Sequence, residues 1–565
     1  MFTISIYVKI LIKNVYDVFM EINVKRGIRI KMSDGIDLVG DIYFPKTDLK
    51  IPAILFRTPY GRDSDNYRKD SELFASNGFA FLNFDVRGRG DSDGVFRPYF
   101  NEGKDGYEMI DWISKQSWSN GMVGTYGASY SARIQWLTSK LKPKNLSAMI
   151  SIVSPSDPFV ESPTGVNDPM HLSWRYLVSG RSLKNVNYID WDKIYRILPL
   201  KDMPDGLGME IMDWNEDVKH QTLDDFWDPI RYQDRFNLVD VPVLHISGWY
   251  DDEQIGTFIN YIGMRNSSSS DNSRNNQMMI IGPWGHIINN PIKSDKVFFG
   301  QEQIIDLDKI KIDWFKRYLY GENINLDSRV RVFIMEKNNW LNLSDWPPSN
   351  SKPNKLYLSS SGRANSLYGD GNLVSEKGDI FEGEDKYSYN PLYPVPFITD
   401  MTSSQIGGPD NYSPIERRDD VLVYSSKPLH DDLTLLGQVY ADLFVKTDAK
   451  DTDFMCMLLD VWPDGFAQRL CDGMVRGRYR NGMDHTEFFK KNKVYEVKIN
   501  MWNTGHMFLK DHMIRLQISS SAFPKYSRNL NTGNDLAYDS QPVTALNEIL
   551  HSSEFPSNLS FYEYQ

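Results

Sequence analysis

The sequence predicts an α/β domain built on a mainly parallel sheet, followed by an all-β domain. Strand-like and helix-like stretches alternate over about the first 350 residues. After about residue 355 helical patterns nearly vanish, and short alternating strands recur between Gly, Asp, Asn and Pro turns. The first pattern is typical of a sheet covered by helices on both faces, and the second is typical of a β-sandwich or jelly roll.

Length and composition agree with two or three domains. The chain has 565 residues, too many for a single core, and 41% of them are hydrophobic, enough to fill several. A formal net charge of -12 argues against nucleic-acid partners and anionic membrane surfaces. Only Cys456 and Cys471 are cysteines, so this is no disulfide scaffold, and we expect two buried thiols in a reducing compartment.

The N-terminus does not read as a targeting segment. Lysines interrupt the apolar run of residues 1–13, no charged region precedes it and no small-residue cleavage site follows. No apolar run reaches the length of a bilayer span. We therefore expect a cytoplasmic protein that does not bind membranes, with residues 1–23 as an N-terminal extension and Met20 as an alternative start to Met1.

The first elements set up the predicted sheet. Residues 24–32 and 37–44 alternate apolar and polar residues around a Ser-Asp-Gly turn, which predicts a hairpin. Residues 51–56 and 79–84 read as buried strands, separated by a helical segment near Leu73. Residues 107–118 read as an amphipathic helix that leads into the next strand.

Ser129 lies at the next strand-to-helix junction. A short apolar run enters Gly124-Thr125-Tyr126-Gly127-Ala128-Ser129, and a helix-like run leaves it. A sharp turn between strand and helix is the context in which a serine is presented as a nucleophile. Gly127 avoids a Cβ where that turn would clash. Because Ser131 occupies the usual second glycine position, the match is partial, and an ordinary strand–helix turn is the alternative.

A nucleophilic serine needs a base and an orienting acid, each just past a strand end and in the order Ser, acid, His. Of nine histidines, only His286 directly follows a predicted strand, residues 278–281. Asp251 is the first carboxylate past the strand at 241–247, and Asp252 and Glu253 are its alternatives. The pattern predicts a serine hydrolase site.

An oxyanion formed at this site would need two hydrogen-bond donors. The backbone N–H of Tyr130, the residue after the nucleophile, is the first. The second should come from the loop after an early strand, where Pro59-Tyr60-Gly61 stands. The Tyr60 hydroxyl is a candidate, and a purely packing role for this tyrosine is the alternative.

The remaining stretches complete the predicted domain plan. Residues 154–236 are rich in Pro, Trp and Tyr without clear strands, which predicts a helical cap inserted into the α/β domain. The sheet resumes after it, with a polar surface loop at 266–276 and a helix at 309–319. We predict an α/β-hydrolase domain over 24–153 and 237–350, the cap over 154–236 and a jelly roll over 351–565.

Seven motifs in order resemble the cocaine esterase family (CocE/NonD hydrolases, related to X-Pro dipeptidyl-peptidases). They are Pro59-Tyr60, Asp85-x-Arg87-Gly88-x-Gly90-x-Ser92-x-Gly94, Gly127-x-Ser129-Tyr130, Gln135-Trp136, Gly248-Trp249-Tyr250-Asp251, Gly282-Pro283-Trp284-x-His286 and Phe523-Pro524-Lys525-Tyr526-Ser527-Arg528-Asn529. So many ordered motifs do not arise by chance. The resemblance covers the chain from about Val24 to beyond Phe523.

The resemblance implies an α/β-hydrolase core, a helical cap and a C-terminal jelly roll. It implies Ser129 as the nucleophile with Asp251 and His286 as its partners, and an oxyanion hole made by the Tyr60 hydroxyl and the Tyr130 amide. One departure is Ala132, where the family's serine motif often has glycine; the loss of a close helix contact is tolerable there.

Glu253 is the residue that bears on substrate choice. Cocaine esterase is similar here but has an aromatic residue, whereas α-amino-acid ester hydrolases have a carboxylate, one of a cluster that binds the substrate's ammonium. The next acid of that cluster is replaced by Gln254, and Asp168 in the cap is a candidate third member. A solvated loop Glu is the alternative. Cap aromatic residues such as Trp174 suggest an apolar acyl pocket, or simply pack.

We therefore predict a serine hydrolase of small-molecule acyl esters, with amides as an extension. An α-amino-acid ester hydrolase or X-Pro dipeptidyl-peptidase-like enzyme that reads an ammonium through Glu253 is the first alternative. A carbohydrate- or surface-binding protein that acts through the jelly roll is an alternative of another class. The sequence has no H-E-x-x-H, Cys-x-x-Cys, Walker or Rossmann motif, so no metal or cofactor is expected. A homo-oligomer stays open.

Overall fold

The computed structural model describes residues 20–211, 213–292, 294, 296–326, 328–402 and 405–565. Most of the predicted N-terminal extension, including the choice between Met1 and Met20 as the start, concerns residues 1–19 and lies outside these ranges. The first strand begins at Ile22, inside the predicted extension.

Ten strands form one sheet in the first part of the chain, in the spatial order β1-β2-β4-β3-β5-β6-β7-β8-β9-β10. They are β1 (Ile22–Lys31), β2 (Asp37–Pro45), β3 (Ile51–Thr58), β4 (Ala80–Asp85), β5 (Ser119–Ala128), β6 (Leu146–Ile152), β7 (Val243–Gly248), β8 (Gln277–Gly282), β9 (Val330–Ile334) and β10 (Asn339–Leu343). Strands β3 to β9 run parallel, and β1, β2 and β10 are antiparallel at the two edges.

Nine α-helices accompany the described strands. They are α1 (Asp65–Ser76), α2 (Glu102–Ser114), α3 (Tyr130–Ser139), α4 (Pro169–Leu177), α5 (Trp191–Tyr195), α6 (Trp214–Asp217), α7 (Gln254–Ser267), α8 (Asp271–Asn275) and α9 (Leu307–Phe315). Every residue of β3, β4, β7 and β8 is buried. Strands covered on both faces are mostly apolar, which is why these runs could be recognised in the sequence.

The predicted hairpin is present as β1 and β2, with Gly35 at a φ of 88° in the turn between them. The predicted polar loop at 266–276 is different in the structure. Helix α7 extends to Ser267, and the short helix α8 follows because the Ser270 side chain accepts a 3.0 Å hydrogen bond from the Ser273 N–H. Polar residues here cap helices instead of forming an open loop.

The segment predicted as a cap lies over the carboxyl edge of the parallel strands. Its described residues form helices α4, α5 and α6 with short 3₁₀ turns and contain no strand. The cap core packs against the C-terminal part of the chain through Tyr479, Phe523 and Leu536. The cap therefore contacts both of the other parts of the molecule.

The C-terminal part is an all-β structure with eleven described strands. They are β11 (Ser351–Ser359), β12 (Asn372–Val374), β13 (Gly383–Tyr389), β14 (Leu422–Ser425), β15 (Leu433–Thr447), β16 (Asp453–Val461), β17 (Ala467–Arg476), β18 (Tyr495–Phe508), β19 (Met513–Ser519), β20 (Ala545–His551) and β21 (Asn558–Tyr564). Every one of them contributes to a single apolar core. Both cysteines are buried and free, Cys456 on β16 and Cys471 on the neighbouring β17.

Strand β18 connects this part to the first sheet. The backbone N–H of Met335, just after β9, donates to the Gly505 carbonyl at 3.0 Å, and the Met507 N–H donates back to the Met335 carbonyl at 3.0 Å. No helix among the described residues has the length and apolar character needed to cross a bilayer.

Candidate active site

Ser129 sits on the sharp turn between β5 and α3. Its backbone has φ 57° and ψ -125°, a strained conformation for a residue other than glycine. Its N–H donates a 2.9 Å hydrogen bond to the Ile152 carbonyl at the end of the neighbouring strand β6. A serine held in such a turn presents its hydroxyl at the carboxyl edge of the sheet, as a nucleophile requires.

The residues around Ser129 allow this turn. A Cβ added to Gly127 would lie 2.5 Å from the Ser131 Cβ and 2.7 Å from the Ser131 carbonyl oxygen, so only glycine fits. Ser131, which replaces the usual second glycine, is accommodated because its hydroxyl donates a 2.6 Å hydrogen bond to the Arg57 carbonyl. The serine at this position of the nucleophile motif therefore leaves no buried hydroxyl without a hydrogen-bond partner.

His286 and Asp251 form a hydrogen-bonded pair beyond the ends of β8 and β7. The His286 Nδ1 lies 2.9 Å from Asp251 Oδ1, and the other Asp251 oxygen accepts a 2.6 Å bond from the Ser247 hydroxyl. Asp251 is only 1% exposed. A buried carboxylate on Nδ1 fixes the ring and leaves Nε2 as the nitrogen available to a serine.

Asp252, an alternative acid in the sequence, lies on the same side of the ring. Its nearest oxygen is 3.8 Å from His286 Nδ1, beyond a hydrogen bond, and its side chain is 21% exposed. Glu253, the third alternative, donates its backbone N–H to Asp251 at 3.2 Å. The geometry favours Asp251 as the orienting acid and makes Asp252 a neighbouring charge.

The charges beside His286 change its basicity. Burial alone would lower the pKa of His286, but the hydrogen bond and charge of Asp251, together with the charge of Asp252, outweigh it and raise that pKa to about 9. At neutral pH the imidazole is therefore mostly protonated in the free enzyme, and the form that can act as a base increases as the pH rises.

We expect kcat/KM for a neutral ester to rise with pH up to about 9, roughly tenfold per unit below that value. Asp252→Asn should move this rising limb to lower pH by about one unit, because it removes a negative charge that stabilises the imidazolium. The measurement is a pH profile of both proteins between pH 6 and about 10.5. A wild-type profile that is flat from pH 7 upward would contradict the prediction.

Tyr60 and Tyr130 are the two candidate oxyanion donors, and Tyr60 lines the same cavity as the serine. Tyr130 is the first residue of α3, so its N–H has no partner within the helix and is available to an oxyanion. The Tyr60 hydroxyl accepts a 3.0 Å hydrogen bond from Trp174 Nε1 in the cap. Burial raises the pKa of Tyr60 strongly, and contacts from Trp174 and Ser129 lower it only in part. The phenol therefore stays protonated and able to donate.

These residues face a cavity of about 380 Å³ between the sheet, the cap and the C-terminal part. Residues that the sequence analysis named line it: Tyr60, Ser129, Asp168, Trp174, Asp252, Glu253 and His286, with Lys525 and Tyr526 from the motif near the C-terminus. The structure thus brings together side chains of the α/β domain, the cap and the C-terminal part. Asp251 and Tyr130 lie behind this surface, both nearly fully buried.

Three carboxyl groups line one side of this cavity: Asp252, Glu253 and Glu161, which we call the acidic wall. Burial, followed by the charges of Asp252 and Glu161, raises the pKa of Glu253 well above its ordinary value. The pKa of Glu161 and that of Asp252 are also raised, in each case mainly by burial. Like charges in a dry pocket resist ionisation unless a cation joins them.

The acidic wall has few internal partners. Glu161 accepts a 2.7 Å hydrogen bond from the Ser156 N–H, whereas Glu253 Oε2 is buried with no hydrogen-bond partner among the described residues. Arg133 partly stabilises the charge; its guanidinium lies 4.3 Å from the centre of the Tyr99 ring and donates a 3.0 Å hydrogen bond to the Ile230 carbonyl. Glu253 Oε2 is therefore able to accept a hydrogen bond from a bound donor.

Asp168 and Gln254, which the sequence raised in connection with this cluster, have other partners. The Asp168 carboxylate accepts hydrogen bonds from the Ser162 hydroxyl and, at 3.1 Å, from the Ser527 N–H. The Gln254 side chain is paired with the Asn503 backbone, donating to its carbonyl at 2.8 Å and accepting from its N–H at 3.1 Å. Glu161, a residue that the sequence did not single out, stands where a third acid was expected.

Gln405 is a second residue missed in the sequence. Its Oε1 accepts a 2.9 Å bond from the His286 N–H, and its Nε2 donates at 3.0 Å to the Tyr250 carbonyl, so it connects the two loops that carry His286 and Asp251. A Cβ on Gly285 would lie 2.0 Å from this Oε1, which explains the glycine. A lone glutamine in a distant polar loop carries no sequence signal.

Asp251, Asp252 and His286 also place three ligand-type atoms within 4.8 Å of one another. In this grouping the Nδ1 of His286 and both oxygens of Asp251 are already used in hydrogen bonds of 2.6 to 2.9 Å. The arrangement is that of an acid–base pair, and the expected absence of a metal stays a prediction.

Comparisons with known proteins extend over most of the chain. Residues 34–288 match the family model for X-Pro dipeptidyl-peptidase (S15 family), and residues 323–560 match that for the X-Pro dipeptidyl-peptidase C-terminal non-catalytic domain. The chain is 32% identical to the cocaine esterase of a Rhodococcus species over 578 aligned positions, which cover 95% of this chain and 98% of that protein.

Two solved structures share the fold over nearly the full length. An aminopeptidase from a marine sediment Thaumarchaeota archaeon is 24% identical with a TM-score of 0.83, and the match covers 98% of both chains. An α-amino acid ester hydrolase is 22% identical with a TM-score of 0.82, and the match covers 97% of this chain and 98% of that one. The α/β-hydrolase core, cap and β-rich C-terminal part therefore occur together in other proteins.

Proposed function

Because the chain belongs to the cocaine esterase (CocE/NonD) family of serine hydrolases, we propose that it cleaves carboxylic esters of small molecules through an acyl-enzyme on Ser129. The observation that carries the proposal is the 2.9 Å bond between His286 and Asp251, with His286 lining the same cavity as a serine in a strained strand–helix turn. The relative with 32% identity is named for ester hydrolysis, which supports esters as the first substrates to test.

In the proposed mechanism, Ser129 Oγ attacks the ester carbonyl while His286 Nε2 takes its proton. The negative charge that develops on the carbonyl oxygen is stabilised by the Tyr60 hydroxyl and the Tyr130 N–H. The intermediate collapses as His286 returns the proton to the leaving alcohol. Water, deprotonated by His286, then attacks the acyl-enzyme and releases the acid. Asp251 orients the imidazole and stabilises its protonated form in both halves.

The acidic wall supports a finer proposal, that the preferred acyl group carries an α-ammonium bound by Glu253 and Glu161. An ammonium would supply the charge that the three carboxyl groups lack and would offer a donor to Glu253 Oε2, which has no partner in the described structure. Opposite charges in a partly dry site attract far more strongly than in water. We propose amides of such acyl groups as a second class of substrate.

We also propose that the protein is cytoplasmic, which agrees with its two free, buried thiols.

We expect the wild type to prefer an α-aminophenylacetyl ester over the matched phenylacetyl ester, and Glu253→Gln to reduce that preference by about 10- to 100-fold. The reason is that glutamine keeps the shape of the side chain and removes its charge. The measurement is kcat/KM for both esters on both proteins. The neutral ester should change by less than about threefold.

Asp168→Asn is the matched control, since Asp168 lines the same cavity but is bound by Ser162 and Ser527. Asp168→Asn should change kcat/KM for both esters by the same factor. If the neutral ester is equal or better on wild type and Glu253→Gln, the ammonium proposal is wrong and the protein is a plain carboxylesterase. If neither ester reacts, the substrate class is wrong.

A further inference from the structure

The cap takes part in the oxyanion hole as well as covering it. We propose that Trp174, on cap helix α4, is a positioning residue that directs the hydroxyl proton of Tyr60 toward the oxyanion. Its indole Nε1 lies 3.0 Å from the Tyr60 hydroxyl oxygen. This inference rests on the proposed function, because it matters only if Tyr60 is an oxyanion donor.

The direction of the hydrogen bond follows from chemistry. An indole N–H is only a donor, so the Tyr60 oxygen must be the acceptor. The phenol hydrogen lies near the ring plane and has two favoured directions, and the incoming N–H of Trp174 occupies one side of the oxygen. The hydrogen is left to point the other way, and Tyr60 and Ser129 line the same cavity, where the ester would bind.

The same contact strengthens the donor. A hydroxyl that accepts a hydrogen bond is polarised and becomes a better donor, and the effect is larger in a buried site. Tyr60 is partly buried against Val86, Tyr130 and Ile134, and desolvation raises its pKa strongly. Because an oxyanion carries more charge than the carbonyl it comes from, the gain is greater in the transition state than in the bound substrate.

An aromatic stack holds the indole in place. The Trp174 ring lies nearly parallel to Tyr99 (8°, centres 6.4 Å apart) and Tyr130 (26°, 6.0 Å), and these two tyrosines stack on each other at 4.5 Å. The Tyr130 hydroxyl donates a 2.9 Å bond to Glu102, whose other oxygen accepts a 2.7 Å bond from Arg57. The Trp174 ring is thus held by stacking on tyrosines, one of which is itself hydrogen-bonded to Glu102.

This role differs from that of a substrate-binding aromatic, which the sequence suggested for Trp174. A residue that only lines the acyl pocket affects substrate affinity, and its effect is the same whether or not Tyr60 has its hydroxyl. A positioning residue acts on turnover, and its effect disappears when the group that it positions is removed. A double-mutant cycle separates the two.

The experiment measures kcat and KM for a neutral ester on wild type, Trp174→Phe, Tyr60→Phe and the double variant. We expect Tyr60→Phe to lower kcat by about 10²- to 10³-fold. Trp174→Phe should lower kcat by about three- to tenfold with KM within about twofold, and should cost less than about 1.5-fold in the Tyr60→Phe background.

Two controls keep packing apart from hydrogen bonding. Replacement of Trp174 by 3-benzothienylalanine keeps the bicyclic ring and removes only the N–H, so it should match Trp174→Phe. Trp191→Phe removes an indole bond elsewhere in the cap, a 2.8 Å bond to the Val186 carbonyl, and should leave kcat unchanged.

The outcomes are distinct. Equal losses in both Tyr60 backgrounds, a loss seen only in KM, or full activity with 3-benzothienylalanine would overturn the role of Trp174 and leave the proposed function standing. A Tyr60→Phe variant with nearly full kcat would instead overturn the oxyanion assignment in the proposed function itself.

Discussion

Ser129→Ala is expected to lower kcat by about 10⁶-fold, to the residual rate supported by substrate binding and the oxyanion donors. The same variant should lose all labelling by a fluorophosphonate probe, which reacts only with an activated serine. The physical reason is that acylation has no other nucleophile at the turn between β5 and α3. The measurements are steady-state kinetics on a neutral ester and mass spectrometry of the labelled peptide.

Ser131→Ala is the matched control, two residues further along the chain. Its hydroxyl is buried and donates a 2.6 Å hydrogen bond to the Arg57 carbonyl, so labelling at Ser129 should persist. Labelling at another serine, or activity of Ser129→Ala within about 100-fold of wild type, would remove Ser129 from the mechanism. A protein that only binds surfaces through its β-rich part would show no labelling in any form.

Asp251→Asn is expected to lower kcat by about 10⁴-fold while leaving KM nearly unchanged. An amide can donate a hydrogen bond to His286 Nδ1, which would favour the tautomer with its hydrogen on Nε2, where the base is needed. The imidazolium formed during the reaction would also lose its negative partner. Kinetics on a neutral ester at several pH values would measure both effects.

Asp252→Asn provides the comparison for Asp251→Asn at almost the same place. Its oxygen is 3.8 Å from Nδ1 against 2.9 Å for Asp251, so it should cost less than about tenfold at the pH optimum. If Asp252→Asn proved the more damaging of the two, the acid would be Asp252, and the loop would have to rearrange during catalysis.

Much of the fold could be predicted from local patterns. Strands buried on both faces are mostly apolar, so the runs that became β3, β4, β7 and β8 could be predicted directly. The prediction of a polar surface loop at 266–276 was wrong because Ser and Asn form helix caps as readily as loops. Only the packing of α7 and α8 decides between the two.

The candidate site was equally readable where its chemistry is local. Ser129 is presented by its own turn, and Asp251 and His286 each follow a strand that ends at the same edge of a parallel sheet. The sheet order alone brings such residues near one another. Their assigned roles stay proposals until the variants above are measured.

Which distant side chains face these residues depends on the packing of the whole chain. The Trp174 indole reaches Tyr60 across 114 positions, Gln405 reaches His286 across 119, and Glu161 joins Glu253 on the acidic wall. The family, the fold class and the candidate triad could be predicted without that packing, because these depend on short motifs and strand ends. The positioning contacts depend on how the cap and the β-rich part pack on the sheet, and no local pattern encodes that packing.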